Sequence, residues 1–441
     1  MKISRTKHSF IIGIFFISVF IIISPEDISL FAKDPAPEAY TLAPESMLKK
    51  INEARADVEP ELETARDFKL DVISTRIMPG GLGTFSKPIV VVNTPEGEFV
   101  IKRINAADDN DAAFPVDYPQ FLKRELRYLN IPAIPKKGTS GTKPEDFYTK
   151  VYNKRTGKME YYQVERWATG RTISRHQATD MPDTLRAAGH LLGSIHSKSR
   201  NYQGSYDRDP EHYSFAKAAD MIKDSSAKWR ENLEDYLSTD ELNVIDSVVR
   251  EIRSFWTTQR LNELPIQPIT SDLNFGNMFF NKTGDKVIGA IDWDQVRKGY
   301  WHEDFFSTLV HTGRPGEGLY VGPLRKDLEI FMEGYREGYG EDFPEKDLLL
   351  LPAFFTVQPM VHIAYAANNL SGDIDKDASS LRKIKMVLKV LKDIRKELGT
   401  IKDIEATLAV TGKVDIPLTA KTTGPTADDD IKTSALVQNA M

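Results

Sequence analysis

Short apolar runs separated by turn residues dominate the chain from about residue 70 to residue 104. The runs DVISTRI, PIVVVN and EFVIKRI are rich in β-branched residues, and the segments PGGLGTFS and TPEG separate them. β-Branched residues favour strands, whereas Gly, Pro and Asn favour turns. The pattern therefore predicts three antiparallel strands with a glycine loop in the first connection.

A helical face and two further strands follow. Phe121, Leu122, Leu126 and Leu129 recur at helical spacing in FPVDYPQFLKRELRYLN, and DFYTKVY and KMEYYQVERW then return to a strand-like composition. Apolar residues three or four positions apart mark the buried side of an amphipathic helix. Three strands, a helix and two strands are thus expected to form a small lobe.

Beyond Gly170 the pattern is mainly helical. DTLRAAGHLLGSIHSKS and DELNVIDSVVREIRSFWTTQRL predict helices, a strand pair near residue 280 interrupts them, and helices resume up to Leu398. Residues 399–441 show little periodicity, which predicts a flexible tail. At the other end, residues 33–69 are predicted to be a linker and a leading helix that is interrupted near Pro60.

The N-terminus has the layout of an export signal. MKISRTK places three cations ahead of the apolar run FIIGIFFISVFIII. As a helix this run spans roughly 21 Å against about 30 Å of hydrocarbon, which favours a cleavable signal over a spanning anchor. Leu30 is bulky for a cleavage site that ends at Ala32, so an uncleaved anchor stays an alternative. Residues 1–32 are therefore predicted to be a signal peptide or N-terminal membrane anchor of an exported protein, which would be secreted, periplasmic or outward-facing.

Composition narrows the possible functions. The 441 residues carry 58 Lys plus Arg against 64 Asp plus Glu, a net charge of −6, so no basic excess is available to neutralise nucleic acid. Membrane contact is expected only through the N-terminal segment. The chain has no cysteine, which removes any thiol nucleophile or Cys-ligated metal. The oligomeric state is left open.

Three polar side chains are expected to meet at one edge of a hairpin. Asp272 and Asn277 precede the strand MFF, and Asp292 ends the strand KVIGAID, with a turn at residues 282–285 between the strands. Phosphoryl transfer uses a carboxylate to orient the attacking hydroxyl and oxygen ligands to hold Mg²⁺. Taken alone, an Asp and an Asn five positions apart are common by chance.

These motifs resemble the aminoglycoside phosphotransferase and choline kinase-like family of the protein-kinase-like fold. The family's catalytic loop reads His-x-Asp-x-x-x-x-Asn and its metal strand Ile-Asp-Trp-Glu, to which TSDLNFGN and IDWD are similar. The resemblance covers roughly residues 70 to 395. It implies an α+β, bilobal fold, with a small antiparallel β lobe for the nucleotide (70–168) and a larger, mainly helical lobe for catalysis and the acceptor (169–398).

The resemblance also implies roles for the polar residues of the large lobe. Asp272 would be the catalytic base, and Asn277 and Asp292 would be catalytic as Mg²⁺ ligands. Asp304 would brace the loop, and Asp294 is either a metal or substrate ligand or a solvated charge. Thr270 stands where the family has His. His196 is expected to be a buried structural residue.

In the small lobe the resemblance implies a nucleotide site. Lys102 would reach the α and β phosphates, and Glu125 would pair with it, although the two could equally form a surface ion pair. Gly81 and Gly83 would belong to the phosphate loop, in which Ser86 replaces a third Gly. Backbone groups of the hinge would meet adenine, at Val164, Glu165 and Trp167.

The sequence as a whole predicts an ATP- and Mg²⁺-dependent kinase that phosphorylates a hydroxyl of a small molecule. Its acceptor site would use a set of aromatic and acidic side chains, namely Tyr300, Trp301, Tyr320, Tyr335, Tyr339, Glu317, Glu333, Glu337 and Glu341. The alternative interpretation is that these residues only form the faces of amphipathic helices. An amino sugar or a choline-like amine would suit them. One alternative is an exported pseudokinase that acts as a binding module. Another is a protein or lipid kinase, although WDQVRKGYWHED leaves little room for peptide docking.

Overall fold

The computed structural model describes residues 58–78, 89–154, 156–204, 215–311, 322–371 and 374–411. The predicted signal or anchor, the linker and the first part of the leading helix lie outside these residues, as do Gly81 and Gly83. The described part of the leading segment is helix α1, Glu59–Asp67, which has Pro60 as its second residue. Pro60 therefore lies in the first turn of α1, where its missing N–H is tolerated.

A five-stranded antiparallel sheet with strand order β1-β2-β3-β5-β4 forms the small lobe. Its strands are β1 Ser74–Met78, β2 Ile89–Thr94, β3 Gly97–Ile104, β4 Tyr148–Asn153 and β5 Lys158–Arg166. The three predicted strands and the two later ones are thus confirmed. The register places Arg76, Val91, Val100 and Glu165 in one row. Lys102 lies two residues beyond Val100 and so shares their face of the sheet.

Helix α2, Asp109–Glu125, lies between β3 and β4 in the chain. The side chain of Asp108 caps α2 by accepting a hydrogen bond from Asp111 N at 2.9 Å. The helix was predicted correctly in kind, but it ends at Glu125. Leu126 and Leu129, predicted on its apolar face, lie in the segment that follows, where both are buried. These two residues are apolar because the segment after the helix is buried, not because they lie on the apolar face of α2.

The large lobe is mainly helical. Its helices are α3 Arg175–Ala178, α4 Pro182–Ser199, α5 Phe215–Leu233, α6 Thr239–Phe255, α7 Thr258–Asn262, α8 His302–Val310, α9 Leu324–Tyr339, α10 Leu351–Asn368, α11 Ile374–Leu398 and α12 Ile401–Thr411. Trp229, Trp256 and Trp301 are buried among them. The segment Glu345–Asn368 is long and apolar enough to cross a membrane, but 72% of its apolar window is buried inside the protein, as in a core helix.

Residues 401–411, which were predicted to belong to a flexible tail, form helix α12 instead. Helix α12 follows α11 almost directly, and its Ile401 and Ile404 are buried. Thr400 and Asp403 cap its start, because Asp403 Oδ2 accepts from Thr400 N at 2.7 Å and Thr400 Oγ1 accepts from Asp403 N at 3.3 Å. Residues 412–441 lie outside the described residues.

Two small antiparallel sheets carry the candidate site. Strand β6, Gln267–Ile269, pairs with β9, Arg297–Gly299, and β7, Met278–Phe280, pairs with β8, Val287–Ala290. The second pair is the predicted hairpin. Asn281 closes its turn, since Asn281 Oδ1 accepts from Gly284 N at 2.9 Å.

Helices α4 and α9 pack backbone against backbone. Gly189 and Gly193 of α4 lie against α9, and Gly334 and Gly338 of α9 lie against α4. A Cβ atom at Gly189 would lie 2.0 Å from Phe331 O, and one at Gly334 would lie 1.9 Å from a backbone oxygen of α4. Any side chain at these positions would force the helices apart.

Gly189→Ala should lower the free energy of unfolding by roughly 2–4 kcal/mol, because the added methyl group overlaps α9. The sign is informative, since Gly→Ala inside an exposed helix normally stabilises by about 0.5–1 kcal/mol. Urea denaturation measures the change. Glu329→Ala, at an exposed position of α9, is the control and should shift stability by less than about 0.5 kcal/mol. Unchanged stability in Gly189→Ala would contradict the close packing.

Candidate active site

The predicted catalytic loop connects β6 to β7. It covers residues 270–274 and continues into a 3-10 turn, Phe275–Asn277. Leu273 is buried inside the loop, and its carbonyl accepts a hydrogen bond from Thr308 Oγ1 of α8 at 2.8 Å. These contacts anchor the loop backbone, so the polar side chains on either side of Leu273 have fixed directions.

One buried carboxylate, Asp304 of α8, holds the start of this loop. Asp304 Oδ2 accepts from Thr270 N at 2.9 Å, and Asp304 Oδ1 accepts from Ser271 N at 2.6 Å. Asp304 Oδ2 also lies 2.9 Å from His196 Nε2, and His196 Nδ1 lies 2.8 Å from the Tyr335 hydroxyl. A carboxylate only accepts, so His196 donates from Nε2 and accepts at Nδ1 from Tyr335. Asp304 thus ties the loop to α4 and α9, and His196 is a buried residue with both ring nitrogens hydrogen-bonded.

Thr270 takes part in this brace through its backbone alone. The Thr270 hydroxyl is buried and has no hydrogen-bond partner within the part of the chain that the structure describes. Any residue except Pro offers the N–H that Asp304 binds, so replacing the family's His leaves the brace intact. The next residue, Ser271, has a φ of 58°. Such left-handed backbone is strained for a residue with a side chain, and the bond to Asp304 holds it in place.

Asp272, the predicted base, is oriented by two amide side chains. Asn274 Nδ2 donates to Asp272 Oδ1 at 2.8 Å, and Asn277 Nδ2 donates to the Asp272 backbone oxygen at 2.8 Å. Burial raises the pKa of Asp272 to about 7, and the charge of Asp292 adds to the increase, whereas Asn274 and Lys102 oppose it. A carboxylate with a pKa near neutrality is suited to accept a proton from a hydroxyl.

Asn274 belongs to the site although its role was not predicted from the sequence. Besides orienting the Asp272 carboxylate, its Oδ1 accepts a hydrogen bond from Gly276 N at 2.9 Å. This is an Asx turn, which Asn followed two residues later by Gly often forms. The signal was therefore visible in the letters NFG.

Asp292 follows β8 in a left-handed conformation. Its φ is 64° and its ψ is 57°, an uncommon region that Asp tolerates better than most residues. The preceding residue, Ile291, donates its N–H to Asn277 O at 3.0 Å. The hairpin thus brings Asn277 and Asp292 together at one edge.

Lys102 reaches from the small lobe to this edge. Lys102 Nζ forms an ion pair with Asp292 Oδ1 and lies 3.2 Å from Asp294 Oδ1. Burial alone would lower the pKa of Lys102, but the charges of Asp292, Asp294 and Glu165 outweigh burial and raise it. The amine therefore stays charged and links the two lobes at the candidate site.

The predicted pairing of Lys102 with Glu125 is wrong. Glu125 is the last residue of α2, its side chain is 43% exposed, and its Oε2 lies 3.9 Å from Lys198 Nζ. The side of α2 that meets the metal strand is aromatic instead, with the Tyr118 and Trp293 rings 6.5 Å apart and edge to face. Aromatic packing thus occupies the place where a helix carboxylate was expected.

Two of the hinge backbone groups that were predicted to meet a base already have hydrogen-bond partners. Val164 O already accepts from Ile134 N at 3.0 Å, and Trp167 N already donates to Glu98 O at 3.0 Å. These two backbone groups are therefore not available to adenine. Ala168, the next residue, makes no hydrogen bond to any residue in the described ranges. A hydrogen-bonding edge for a base would begin there.

The side chains of Glu165 and Trp167 differ in environment. Glu165 is buried, and Gln163 Nε2 donates to its Oε1 at 2.8 Å. Burial raises the pKa of Glu165 to about 7, although Lys102 opposes the increase. Trp167 is 40% exposed, and the Arg76 guanidinium lies 5.2 Å from the centre of its ring.

The side chains considered for an acceptor site are divided between the core and the surface. The described aromatic residues are buried in the core, namely Tyr300, Trp301, Tyr335 and Tyr339. The described carboxylates are exposed on or just beyond α9, namely Glu333, Glu337 and Glu341. Glu317 and Tyr320 lie outside the described residues. Trp301 and Tyr339 nevertheless line a cavity of about 530 Å³, together with residues that include Lys298 and Asp342, so the acceptor role predicted for these two side chains stays a prediction.

Oxygen ligands for a cation converge at Asn277 and Asp292. Asn277 uses its Nδ2 on the loop backbone, so its Oδ1 is directed away from that contact. With the Asp292 carboxylate it provides the kind of oxygen donors that Mg²⁺ prefers. No group of three or more His, Asp or Glu side chains that could hold a metal occurs in the described part of the chain. Further ligands would have to come from water or substrate.

Comparison with known proteins identifies the family and the fold. Residues 82–346 match the phosphotransferase enzyme family, and no curated protein matches the chain. An amicoumacin kinase in complex with AMP-PNP, Ca²⁺ and Ami has a TM-score of 0.52 and 16% identity, over 76% of this chain and 95% of that chain. A spectinomycin phosphotransferase in complex with ADP and spectinomycin has a TM-score of 0.50 and 13% identity, over 76% of this chain and 97% of that chain. The predicted bilobal, protein-kinase-like α+β fold is confirmed.

Thr270→Val should change the free energy of unfolding by less than about 0.5 kcal/mol or increase it, because the lost hydroxyl has no partner in the described structure. Thr308→Val is the matched buried substitution. It should cost about 1–2 kcal/mol because the Leu273 carbonyl loses its donor. Chemical denaturation compares the two variants. Equal losses would contradict a brace that uses only the Thr270 backbone.

Asp272→Asn should be more stable than the wild type at pH 8, and this gain in stability should be smaller at pH 4. Folding raises the pKa of Asp272 from 3.8 to about 7, so the folded state binds this proton more tightly than the unfolded state. That contribution to stability is present at low pH and is lost as the pH rises towards 7. The neutral Asn avoids the loss, so its Tm at pH 8 should exceed that of the wild type by about 2–5 °C.

Thermal unfolding at both pH values measures this difference. Asp240→Asn, at an exposed position of α6, is the control and should show no such pH dependence. A constant Tm difference between Asp272→Asn and the wild type at pH 4 and pH 8 would contradict the buried carboxylate.

Proposed function

The chain belongs to the phosphotransferase enzyme family, whose match spans residues 82–346 and hence more than half of its length. On this premise we propose that it transfers the γ-phosphoryl group of ATP to a hydroxyl group of a small molecule, with Mg²⁺ required. Two structural neighbours are complexes with AMP-PNP and with ADP, which supports a nucleotide as the donor.

The contact between Lys102 and Asp292 carries this proposal. Lys102 comes from the sheet of the small lobe, and Asp292 ends a hairpin of the large lobe. Phosphoryl transfer depends on positioning and on charges arranged around the phosphates. A Lys, a carboxylate and an adjacent amide oxygen between two lobes provide that arrangement.

Each residue has a role that its contacts support. Asp272 accepts the proton of the attacking hydroxyl, and Asn274 holds its carboxylate in position. Lys102 binds the α and β phosphates of the nucleotide. Asn277 and Asp292 hold Mg²⁺, which, when bound, neutralises charge on the transferred phosphoryl group.

The acceptor is proposed to be small because the segment after the metal strand is short. Helix α8 begins at His302, ten residues after Asp292. That length leaves little chain for a segment that docks a peptide. Both neighbours described above are named for small-molecule substrates. An amino sugar and a choline-like amine stay equal candidates for the acceptor class.

A binding module without turnover is the second candidate. The observation that favours it is Thr270 at the position of the family's loop His. Its side chain contributes nothing to the brace, so the fold is preserved whether or not catalysis is. Nucleotide binding and phosphoryl transfer have to be measured separately to distinguish the two functions.

We further propose that the enzyme acts outside the cytoplasm. The cations of MKISRTK and the apolar run after them support export. The enzyme would then need ATP from a host cell or from an ATP-containing compartment. N-terminal sequencing of the exported protein should find a start near Lys33 if the signal is cleaved. Quantitative retention of the unprocessed protein in the cytoplasm would contradict export.

Mg²⁺ and ATP at 100 times the Kd should raise the free energy of unfolding by about 2.7 kcal/mol. Asp292→Ala should abolish the metal-dependent part of this increase, because it removes a ligand. Asp240→Ala, at an exposed position of α6, is the charge control and should respond like the wild type. The measurement is thermal unfolding with ATP in Mg²⁺ or in a chelator. An equal metal-dependent response in Asp292→Ala would contradict the metal site.

Asp272→Ala should keep nucleotide binding but lose on the order of 10²-fold or more in transfer rate, because it removes only the proton acceptor. Transfer of labelled phosphate to a panel of amino sugars and amino alcohols measures the rate. Full transfer by Asp272→Ala would contradict its role as base. Nucleotide binding by the wild type without transfer to any acceptor would favour the binding module.

A further inference from the structure

Carboxylates from both lobes act on Lys102. Asp292 and Asp294 of the large lobe lie within ion-pair distance of its amine, whereas Glu165, in the same sheet as Lys102, acts on the amine through its charge without an ion pair. In the proposed function, on which this inference rests, Asp292 binds a cation. A carboxylate that binds a divalent cation attracts a Lys amine far less strongly. The nucleotide phosphates then supply the opposite charge that a buried amine requires, and a carboxylate of the amine's own lobe would fix its direction.

The register of the sheet places Glu165 for this role. Val100 pairs with Glu165, and Lys102 pairs with Gln163. Glu165 is therefore the diagonal neighbour of Lys102 on the same face, at a backbone separation of about 7–8 Å that long side chains can bridge. Glu165 is only 6% exposed. Gln163 Nε2 donates to its Oε1 at 2.8 Å, which fixes the direction of the carboxylate.

Helix α2 does not supply a carboxylate in its place. Glu125 lies at the end of the helix, beside Lys198. Asp117, in the middle of the helix, accepts a hydrogen bond from the Tyr202 hydroxyl at 2.5 Å. Tyr118 packs against the metal strand instead. The carboxylates of α2 thus have other partners, and the small-lobe carboxylate whose charge acts on Lys102 is Glu165 of β5.

We propose that Glu165 is the positioning residue that holds Lys102 against the nucleotide phosphates, in the role that the sequence suggested for Glu125. The interaction between Lys102 and Glu165 lies within one sheet. The position of the amine then does not depend on how α2 is docked. The nucleotide site of this chain is therefore complete without a helix movement.

A double-mutant cycle on nucleotide binding tests this proposal without requiring turnover. Isothermal titration with AMP-PNP and Mg²⁺ gives the Kd of the full chain, of Glu165→Gln, of Lys102→Met and of the double variant. Glu165→Gln should weaken binding about tenfold, and Lys102→Met by about tenfold or more. The double variant should bind within a factor of about 3 of Lys102→Met, because Glu165 acts through Lys102. Glu125→Gln is the matched control and should bind like the wild type.

Glu165→Asp retains the charge and gives a second variant if Glu165→Gln does not fold. It should recover part of the affinity, which a purely structural role in packing would not produce. The proposal would be overturned if the affinity losses of the two single variants multiplied in the double variant. It would also be overturned if Glu125→Gln lost nucleotide affinity and Glu165→Gln did not. No nucleotide binding by the wild type would overturn the proposed function itself. If the wild type binds nucleotide but Glu165→Gln and Lys102→Met lose affinity independently of each other, only this inference would be overturned.

Discussion

The candidate site depends on the buried carboxylate of Asp304. A buried charge is tolerated only when hydrogen bonds replace its water, and here the loop backbone at Thr270 and Ser271 and the ring of His196 provide them. Because these donors come from different segments, satisfying one carboxylate fixes the loop relative to the helices. The contact of α4 with α9 at Gly189 and its neighbours brings His196 within reach of Tyr335. Backbone packing far along the helices thus sets the geometry of the loop.

Electrostatics at the cleft is dominated by carboxylates. Lys102 faces Asp292 and Asp294, and Glu165 and Asp272 both have a pKa raised to about 7 by burial. One amine does not balance this many acidic groups, so each of them raises the cost of ionising the others. A divalent cation would relieve that repulsion, and it would itself be neutralised by nucleotide phosphates. The proposed cofactors therefore complement a charge imbalance that is built into the fold.

Much of this arrangement could be predicted from the sequence. Strand composition and turn residues gave the sheet and the hairpin, and the hairpin brings Asn277 and Asp292 together because local chain geometry determines it. The errors are long-range. Glu125 has a helical position that suits a partner of Lys102, but aromatic packing at Tyr118 decides which side of α2 meets the metal strand. At the predicted hinge, Val164 O and Trp167 N are taken by Ile134 and Glu98, which are distant in the sequence. Such contacts depend on tertiary packing, which spacing along one chain does not encode.

The most direct test of the account is a crystal structure of the chain from Lys33 onward with AMP-PNP and Mg²⁺. The account predicts Mg²⁺ coordinated by Asn277 Oδ1 and the Asp292 carboxylate. It also predicts that Lys102 Nζ contacts the phosphates and is directed by Glu165, with its ion pair to Asp292 broken. A nucleotide bound elsewhere would contradict the central claim. So would a cleft that still holds the ion pair of Lys102 and Asp292, without metal, at saturating nucleotide.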